Sequence, residues 1–178
     1  MNPQTITLLS FGHFDCGFLE KISEAVAQEF NCAVSIKEAR LDLTGFFDPN
    51  RRQYNGDQLL KEVHSMGINT STKTIGLFNV DLFIPILTYI FGQAQLGGPT
   101  AIASLYRLSN EKYGILPNDD QVLERFKKEI IHELGHTFKL LHCYTTSCIM
   151  RSSTYVEDID QKDSQFCPKC RNLLQSTL

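Results

Sequence analysis

The segment that most restricts the fold of this 178-residue chain is His132-Glu133-Leu134-Gly135-His136, followed six residues later by His142. Three of the five histidines thus lie within eleven residues. Residues four apart on an α-helix lie on one face, so His132 and His136 can direct both imidazoles at one metal ion. Two histidines at this spacing are typical of a zinc site, and Glu133 between them is the candidate general base.

The surrounding sequence predicts a long helix that carries this motif. Asn118-Asp119-Asp120 offers an N-cap, and the helix is expected to run from about residue 121 towards residue 138. Its buried row comprises Leu123, Phe126, Ile130 and Leu134. The two histidines share the opposite stripe with Arg125, Lys128 and Glu129, which predicts that they face a cleft or solvent rather than the core. The alternative is a polar surface stripe that binds no metal.

The third histidine requires a turn in the chain. On an unbroken helix His142 would point about 120° away from His136 and lie about 9 Å along the axis, too far to share a metal ion. A glycine in the left-handed conformation usually makes such a turn, but position 139 is Lys139. A lysine in that conformation costs about 1–2 kcal/mol, which a fold can tolerate.

Two cysteine pairs follow the histidines. Cys143 and Cys148 form one pair and Cys167 and Cys170 form the other, with eighteen residues between the two pairs. Such paired pairs predict a tetrahedral four-cysteine zinc site. Disulfides and a Cys-x-x-Cys redox pair are the alternatives, less favoured because a reducing compartment is expected and no β-α-β unit directly precedes the motif. No role is assigned to the isolated residues Cys16, Cys32, His13 and His64.

Residues 132–142 resemble the extended zinc signature of the metzincin peptidases, H-E-x-x-H-x-x-G-x-x-H, with Lys139 in place of its glycine. The downstream cysteines, Phe91-Gly92-Gln93-Ala94 and the run from Ser104 to Leu108 resemble the archaemetzincin branch of that family. The resemblance implies that Met150 is the methionine of the turn beneath the zinc ligands. It also implies that a strand bordering the cleft pairs with the substrate, and the matching residues are Ala101, Ile102, Ala103 and Ser104.

The rest of the chain predicts an α+β fold. Apolar spacing indicates strands at 6–11, 32–41, 74–80 and 100–108 and helices at 18–30 and 57–66, with a β-α-β opening. We expect a twisted mixed β-sheet with long helices and the active-site helix under the edge strand. The prediction is a single catalytic domain over 1–178. Within it, 1–138 form a sheet-and-helix subdomain, and 139–178 form a small subdomain held by the four-cysteine zinc site, because few apolar residues follow Cys143.

Composition excludes several functional classes. With 17 Lys and Arg against 20 Asp and Glu, the net charge of -3 argues against nucleic-acid binding, including by a zinc ribbon. The longest apolar run, Leu82 to Phe91, is too short to span a membrane, which takes roughly 20 residues. Residues 1–5 lack a basic region followed by an apolar stretch, so no secretory signal is expected. We therefore expect a cytoplasmic monomer.

These observations predict a zinc-dependent peptidase that acts on peptides or proteins. Two zinc ions per chain are expected, one catalytic and one structural. A water molecule on the zinc held by the three histidines would attack the peptide carbonyl while Glu133 accepts its proton. The alternative is a zinc-stabilised peptide-binding module with weak or blocked hydrolytic activity.

Overall fold

The structure, a computed structural model, describes residues 5–67 and 72–177. Within these residues the α-helices are α1 (Cys16–Phe30), α2 (Gly56–Met66), α3 (Asp119–Thr137), α4 (Val156–Asp160) and α5 (Pro168–Gln175). The strands are β1 (Thr5–Phe11), β2 (Ala33–Ala39), β3 (Phe47–Asp48), β4 (Gln53–Asn55), β5 (Thr72–Phe78), β6 (Leu82–Ile84), β7 (Leu87–Ile90), β8 (Gly92–Ala94) and β9 (Thr100–Ser104). None of the helices in this part of the chain combines the length and hydropathy needed to cross a bilayer.

The strands form two sheets. The larger has the order β2-β1-β5-β9-β8, with its first four strands parallel and β8 antiparallel at one edge. The smaller has the order β3-β4-β6-β7 and mixes parallel and antiparallel pairs. The predicted α+β class with a mixed sheet is confirmed.

Helices cover both faces of the larger sheet, because successive side chains of each strand point to opposite sides. Ala101 and Ala103 of β9 join the main core, which α1 and α3 build on one face. Ile102, between them, joins a second core with Leu59 and Val63 of α2 on the other face. This arrangement lays α3 directly beneath the strands at the β8 edge of the sheet.

Most predicted elements start and end within about two residues of the observed ones. The helix predicted at about 121–138 is α3, and the Asn118 side chain caps it by accepting from the Gln121 N–H at 3.0 Å. The strand predicted at 100–108 is too long. It ends at Ser104, whose hydroxyl accepts from the Val80 N–H at 3.2 Å, and a 3-10 helix follows at Tyr106–Leu108.

The segment after residue 139 contributes more apolar burial than its composition indicates. Its buried side chains pack into the main core: Leu140, Ile149, Met150, Val156, Ile159, Phe166 and Leu174. A partly buried ion pair also ties it to α1, since Glu29 accepts from Arg171 at 2.6 Å and from the Phe166 N–H at 2.7 Å. Apolar packing and this ion pair therefore both hold the segment in place.

Candidate zinc sites and active-site cleft

The three histidines predicted to share a metal ion lie together. Each offers a ring nitrogen, and these atoms all lie within 4.8 Å of one another. His132 and His136 project from α3 one turn apart, with Nε2 atoms 3.2 Å apart. Two nitrogens on one tetrahedral zinc, at 2.0–2.1 Å from it, are about 3.3 Å apart, so this pair fits the ion.

Hydrogen bonds fix which nitrogen of each ring is available. The Nδ1 atom of His132 contacts the Ile149 carbonyl at 2.8 Å, and that of His136 contacts the Leu140 carbonyl at 2.7 Å. A carbonyl can only accept, so both Nδ1 atoms carry the proton and both Nε2 atoms are free to bind a cation. Burial lowers the pKa of both imidazoles, which favours the neutral form that binds metals.

The predicted turn between the second and third histidines is present. Lys139 has φ 68°, the left-handed conformation expected at this position. The Lys139 N–H donates to the His136 carbonyl at 3.0 Å and the Leu140 N–H to the Gly135 carbonyl at 3.1 Å. This bonding pattern is a Schellman C-cap, which ends α3 and returns the chain towards the first two histidines.

The polar stripe of α3 faces the C-terminal segment rather than solvent, which corrects part of the sequence expectation. Arg125 is 4% exposed and its guanidinium binds Asp160 through two hydrogen bonds of 2.7 Å. The Lys128 ammonium donates to the Ile159 carbonyl at 3.1 Å. Arg125 can be buried and Lys128 half-buried because α4 and its flanking loops supply partners for their charges. His132 is 5% exposed yet lines the cleft, as predicted.

Glu133, the candidate base, lies in a buried cluster of charged groups. Glu129, one turn earlier on α3, and Lys162, after α4, are both nearly fully buried. Burial and the neighbouring Glu129 carboxylate raise the pKa of Glu133 well above its usual range, while Lys162 opposes the rise. The Lys162 ammonium donates to the Arg151 carbonyl at 2.9 Å. The four-residue spacing of the two glutamates was visible in the sequence, whereas nothing in it indicated Lys162.

Two glycines allow close packing around these residues. A Cβ atom on Gly92 would lie 2.6 Å from Glu133 Cγ and 2.8 Å from the Ile102 carbonyl oxygen. A Cβ atom on Gly135 would lie 2.5 Å from the sulfur of Met150, which is fully buried. Met150 therefore packs against α3 between the two helical histidines, where only a glycine leaves room for it.

The four cysteines predicted to form a second site also converge. The sulfur atoms of Cys143, Cys148, Cys167 and Cys170 all lie within 4.8 Å of one another. The Cys143 and Cys167 sulfurs are 3.8 Å apart, the separation of about 3.8 Å expected for thiolates 2.3 Å from one tetrahedral zinc. Burial disfavours the Cys167 thiolate, but hydrogen bonds from the Cys170 backbone and neighbouring thiols bring its pKa to about 6. The donor set therefore fits zinc.

The expectation that Ala101, Ile102, Ala103 and Ser104 border the cleft is wrong. They lie in β9, which pairs with β5 on one side and β8 on the other, and all four are buried. Such a strand has no free edge for a substrate. The strand at the sheet edge is β8, whose residue Gly92 lines the cleft beside Glu133.

The cleft is a cavity of about 360 Å³ beside the three histidines. Two separate segments line it, β7 with Phe91 as one wall and residues 152–155 as the other, together with His132, Glu133 and His142. Sequence analysis did not identify these walls as a pair, because they come from segments about 65 residues apart.

Comparison with known proteins agrees with this geometry. The profile of peptidase family M54 matches residues 21–176. The chain belongs to family M54, the archaemetzincins. It is a zinc metallopeptidase of that family, as its histidine motif and cysteine pairs predicted.

Similarity to individual archaemetzincins covers nearly the whole chain. The archaemetzincin of Haloquadratum walsbyi is 31% identical over 172 residues, covering 95% of this chain and 98% of the relative. A crystal structure of the archaemetzincin of Methanopyrus kandleri superposes with a TM-score of 0.85 at 32% identity, covering 98% of this chain and 95% of that one. A zinc-dependent peptidase from Methanocorpusculum labreanum gives a TM-score of 0.87 at 28% identity, covering 95% and 99%. The family and the fold are thus supported independently.

Proposed function

We propose that this archaemetzincin hydrolyses peptide bonds with a zinc ion held by His132, His136 and His142 and with Glu133 as the general base. The observation that carries the proposal is the convergence of three ring nitrogens within 4.8 Å, next to a buried carboxylate that faces the same cleft. The neutral imidazoles and the buried glutamate are the groups that this chemistry requires.

Glu133 moves the proton in this mechanism. A zinc ion bound there supplies a Lewis acid that polarises the peptide carbonyl, lowers the pKa of a water molecule and opposes the rise in the Glu133 pKa. The Glu133 carboxylate accepts a proton from the water that attacks the carbonyl carbon, then delivers it to the nitrogen of the leaving amine. The position of Glu133 supports this role, because it lines the same cleft as His132 and His142 of the proposed zinc site.

The edge strand β8 is the proposed docking strand for the substrate. The Phe91 carbonyl and the Gln95 N–H bond to β9, at 2.8 Å and 2.9 Å respectively. Backbone groups alternate in direction along an antiparallel strand, so those of Gly92 and Ala94 point away from β9. They are free to pair with an extended peptide, and such pairing supplies affinity with little sequence selectivity.

The same proposal includes a second, structural zinc ion bound by Cys143, Cys148, Cys167 and Cys170. His142 and Cys143 are adjacent, so this ion would fix the chain directly after the third histidine and help to hold the turn at Lys139. We further propose that residues 1–178 act as one catalytic domain with 139–178 as its zinc-held part. A monomer in a reducing, cytoplasmic setting would keep the four thiols available for metal binding.

Metal analysis combined with a peptide-library digest tests the proposal. Wild type, Glu133→Gln and the control Glu124→Gln, an exposed glutamate on the same helix, are compared. We expect two zinc ions per chain in all three and a loss of cleavage rate of at least about 10²-fold in Glu133→Gln alone. Two zinc ions without cleavage of any peptide would instead favour the zinc-stabilised peptide-binding module.

A further inference from the structure

A hydrogen bond joins the two walls of the cleft. The Tyr89 hydroxyl, on β7, donates to the carbonyl oxygen of Thr154 at 2.8 Å. Both residues line the cavity beside the histidines, one on each wall. The contact therefore joins the two segments that line the cleft, and it is called the Tyr89–Thr154 bridge below.

The Tyr89 side of the bridge is held by further contacts. The Arg107 guanidinium lies 4.1 Å from the centroid of the Tyr89 ring and binds both carboxylate oxygens of Asp81, at 2.6 Å and 2.7 Å. The Phe91 ring packs edge-on against Tyr89 with 5.5 Å between centroids. Movement of the Tyr89 ring would disturb an aromatic contact and a cation–π contact.

The opposite wall is also braced. The Asp158 carboxylate accepts from the N–H groups of Thr154 and Tyr155, both at 2.8 Å. The bond from the Tyr155 N–H belongs to the capping box at the start of α4, whose residues Val156 and Ile159 are buried in the main core. Both ends of the bridge are therefore anchored to packed elements of the fold.

The bridge lies on the path of a substrate bound as proposed above, and this inference rests on that proposed function. A peptide antiparallel to β8 runs from Ala94 towards Gly92, so its C-terminal part continues towards β7. Strand β7 is itself the edge of the smaller sheet. Gly92 lies beside Glu133, since a Cβ atom there would be 2.6 Å from Glu133 Cγ. Tyr89 comes three residues earlier, which is at most about 10 Å of chain. About two substrate residues fit between the cleaved bond and the bridge.

We propose that the Tyr89–Thr154 bridge closes the cleft beyond about two residues on the C-terminal side of the cleaved bond. The preferred substrates are then peptides cut near their C-termini, with release of short fragments, rather than long chains cut internally. A longer substrate has to break the bridge before it binds. Tyr89 acts as a specificity-determining residue, since it selects substrates by length without taking part in the chemistry.

Ligands anchored at the zinc ion test the length limit without requiring turnover. The probes are peptides with a zinc-chelating hydroxamate at the N-terminal end followed by one to five residues, so that each extends into the C-terminal side of the cleft. Their dissociation constants are measured by calorimetry for zinc-loaded wild type, Tyr89→Phe and the control Tyr113→Phe. Tyr113 lies outside the cleft, and its hydroxyl likewise donates to a backbone carbonyl, that of Arg107, at 2.7 Å.

For wild type and Tyr113→Phe we expect the affinity to increase from probes with one residue to probes with two. Probes with three or more residues should bind about tenfold more weakly than the two-residue probe. That fold-change corresponds to about 1.4 kcal/mol, close to the contribution of one hydrogen bond. In Tyr89→Phe the longer probes should bind as tightly as the two-residue probe or more tightly. Wild-type affinity that keeps rising or stays level to five residues would overturn the inference, as would a penalty that persists in Tyr89→Phe. Hydroxamates that bind no variant would instead overturn the proposed function beneath it.

Discussion

Replacing Gly92 by alanine changes the position of Glu133 without touching a proposed metal ligand. The added Cβ atom would lie 2.6 Å from Glu133 Cγ, whereas ordinary contacts begin at 3.4 Å, so one of the two must move by about 0.8 Å. The Ile102 carbonyl oxygen, 2.8 Å from the same Cβ position, prevents a shift towards β9. The displacement therefore falls on Glu133 or on the edge strand β8.

A displacement of this size is large for a catalytic group. Misplacement by 1 Å can reduce a rate about 10²-fold, so we expect kcat/KM of Gly92→Ala to fall by roughly 10- to 100-fold. Overpacking at this site is expected to destabilise the fold by about 1–3 kcal/mol. Zinc content should not change, because His132, His136 and His142 are not displaced by this substitution.

The assay compares kcat/KM, zinc content and melting temperature for wild type, Gly92→Ala and Gly45→Ala. Gly45 is the matched control, since a Cβ atom there meets nothing within 4 Å and its φ angle is not positive. Wild-type activity in Gly92→Ala would refute the reasoning that Gly92 keeps Glu133 in place. Equal losses in both variants would show that the effect is not specific to the cleft.

Two further predictions concern the turn and the cysteine site. Cys170→Ser should remove one zinc ion per chain and weaken zinc affinity at the histidines, measured by titration with a competing chelator; unchanged affinity there would disprove the coupling between the sites. Lys139→Gly should raise the free energy of unfolding by up to about 1 kcal/mol in denaturant titrations, because it relieves a left-handed lysine. A clear loss of stability would show that the packing of the Lys139 side chain on Gly97 contributes more than the relieved strain.

The zinc-ligand sets could be predicted from the sequence because their geometry is largely local. His132 and His136 are one helical turn apart. The two cysteines of each pair are also only a few positions apart in the sequence. The turn at Lys139 followed from the same reasoning, since His142 can approach the other two rings only if the helix ends. Local spacing and the period of a helix contain all of this information.

The proposed substrate strand could not be predicted in the same way, because strand order in a sheet does not follow chain order. β9 comes after β8 in sequence, yet β9 is inserted between β5 and β8, which leaves β8 at the edge. The burial of Glu129 and Lys162 likewise depends on how the segment after α3 folds back over that helix. The strand order and the burial of these two side chains depend on contacts between distant segments, so no short sequence motif predicts them.

The fold-back of the last forty residues has a consequence for synthesis of the protein. The ribosome completes α3 and its two histidines before His142, Met150 and Lys162 are made. Until α4 docks, Arg125 lacks its ion pair with Asp160 and keeps only its bonds to Leu108 and Asn110, and Lys128 lacks the Ile159 carbonyl. If the proposed site is right, a chain translated only as far as α3 lacks the third zinc-binding histidine and residues 152–155 of the cleft, so the site can be completed only after α3 has been made.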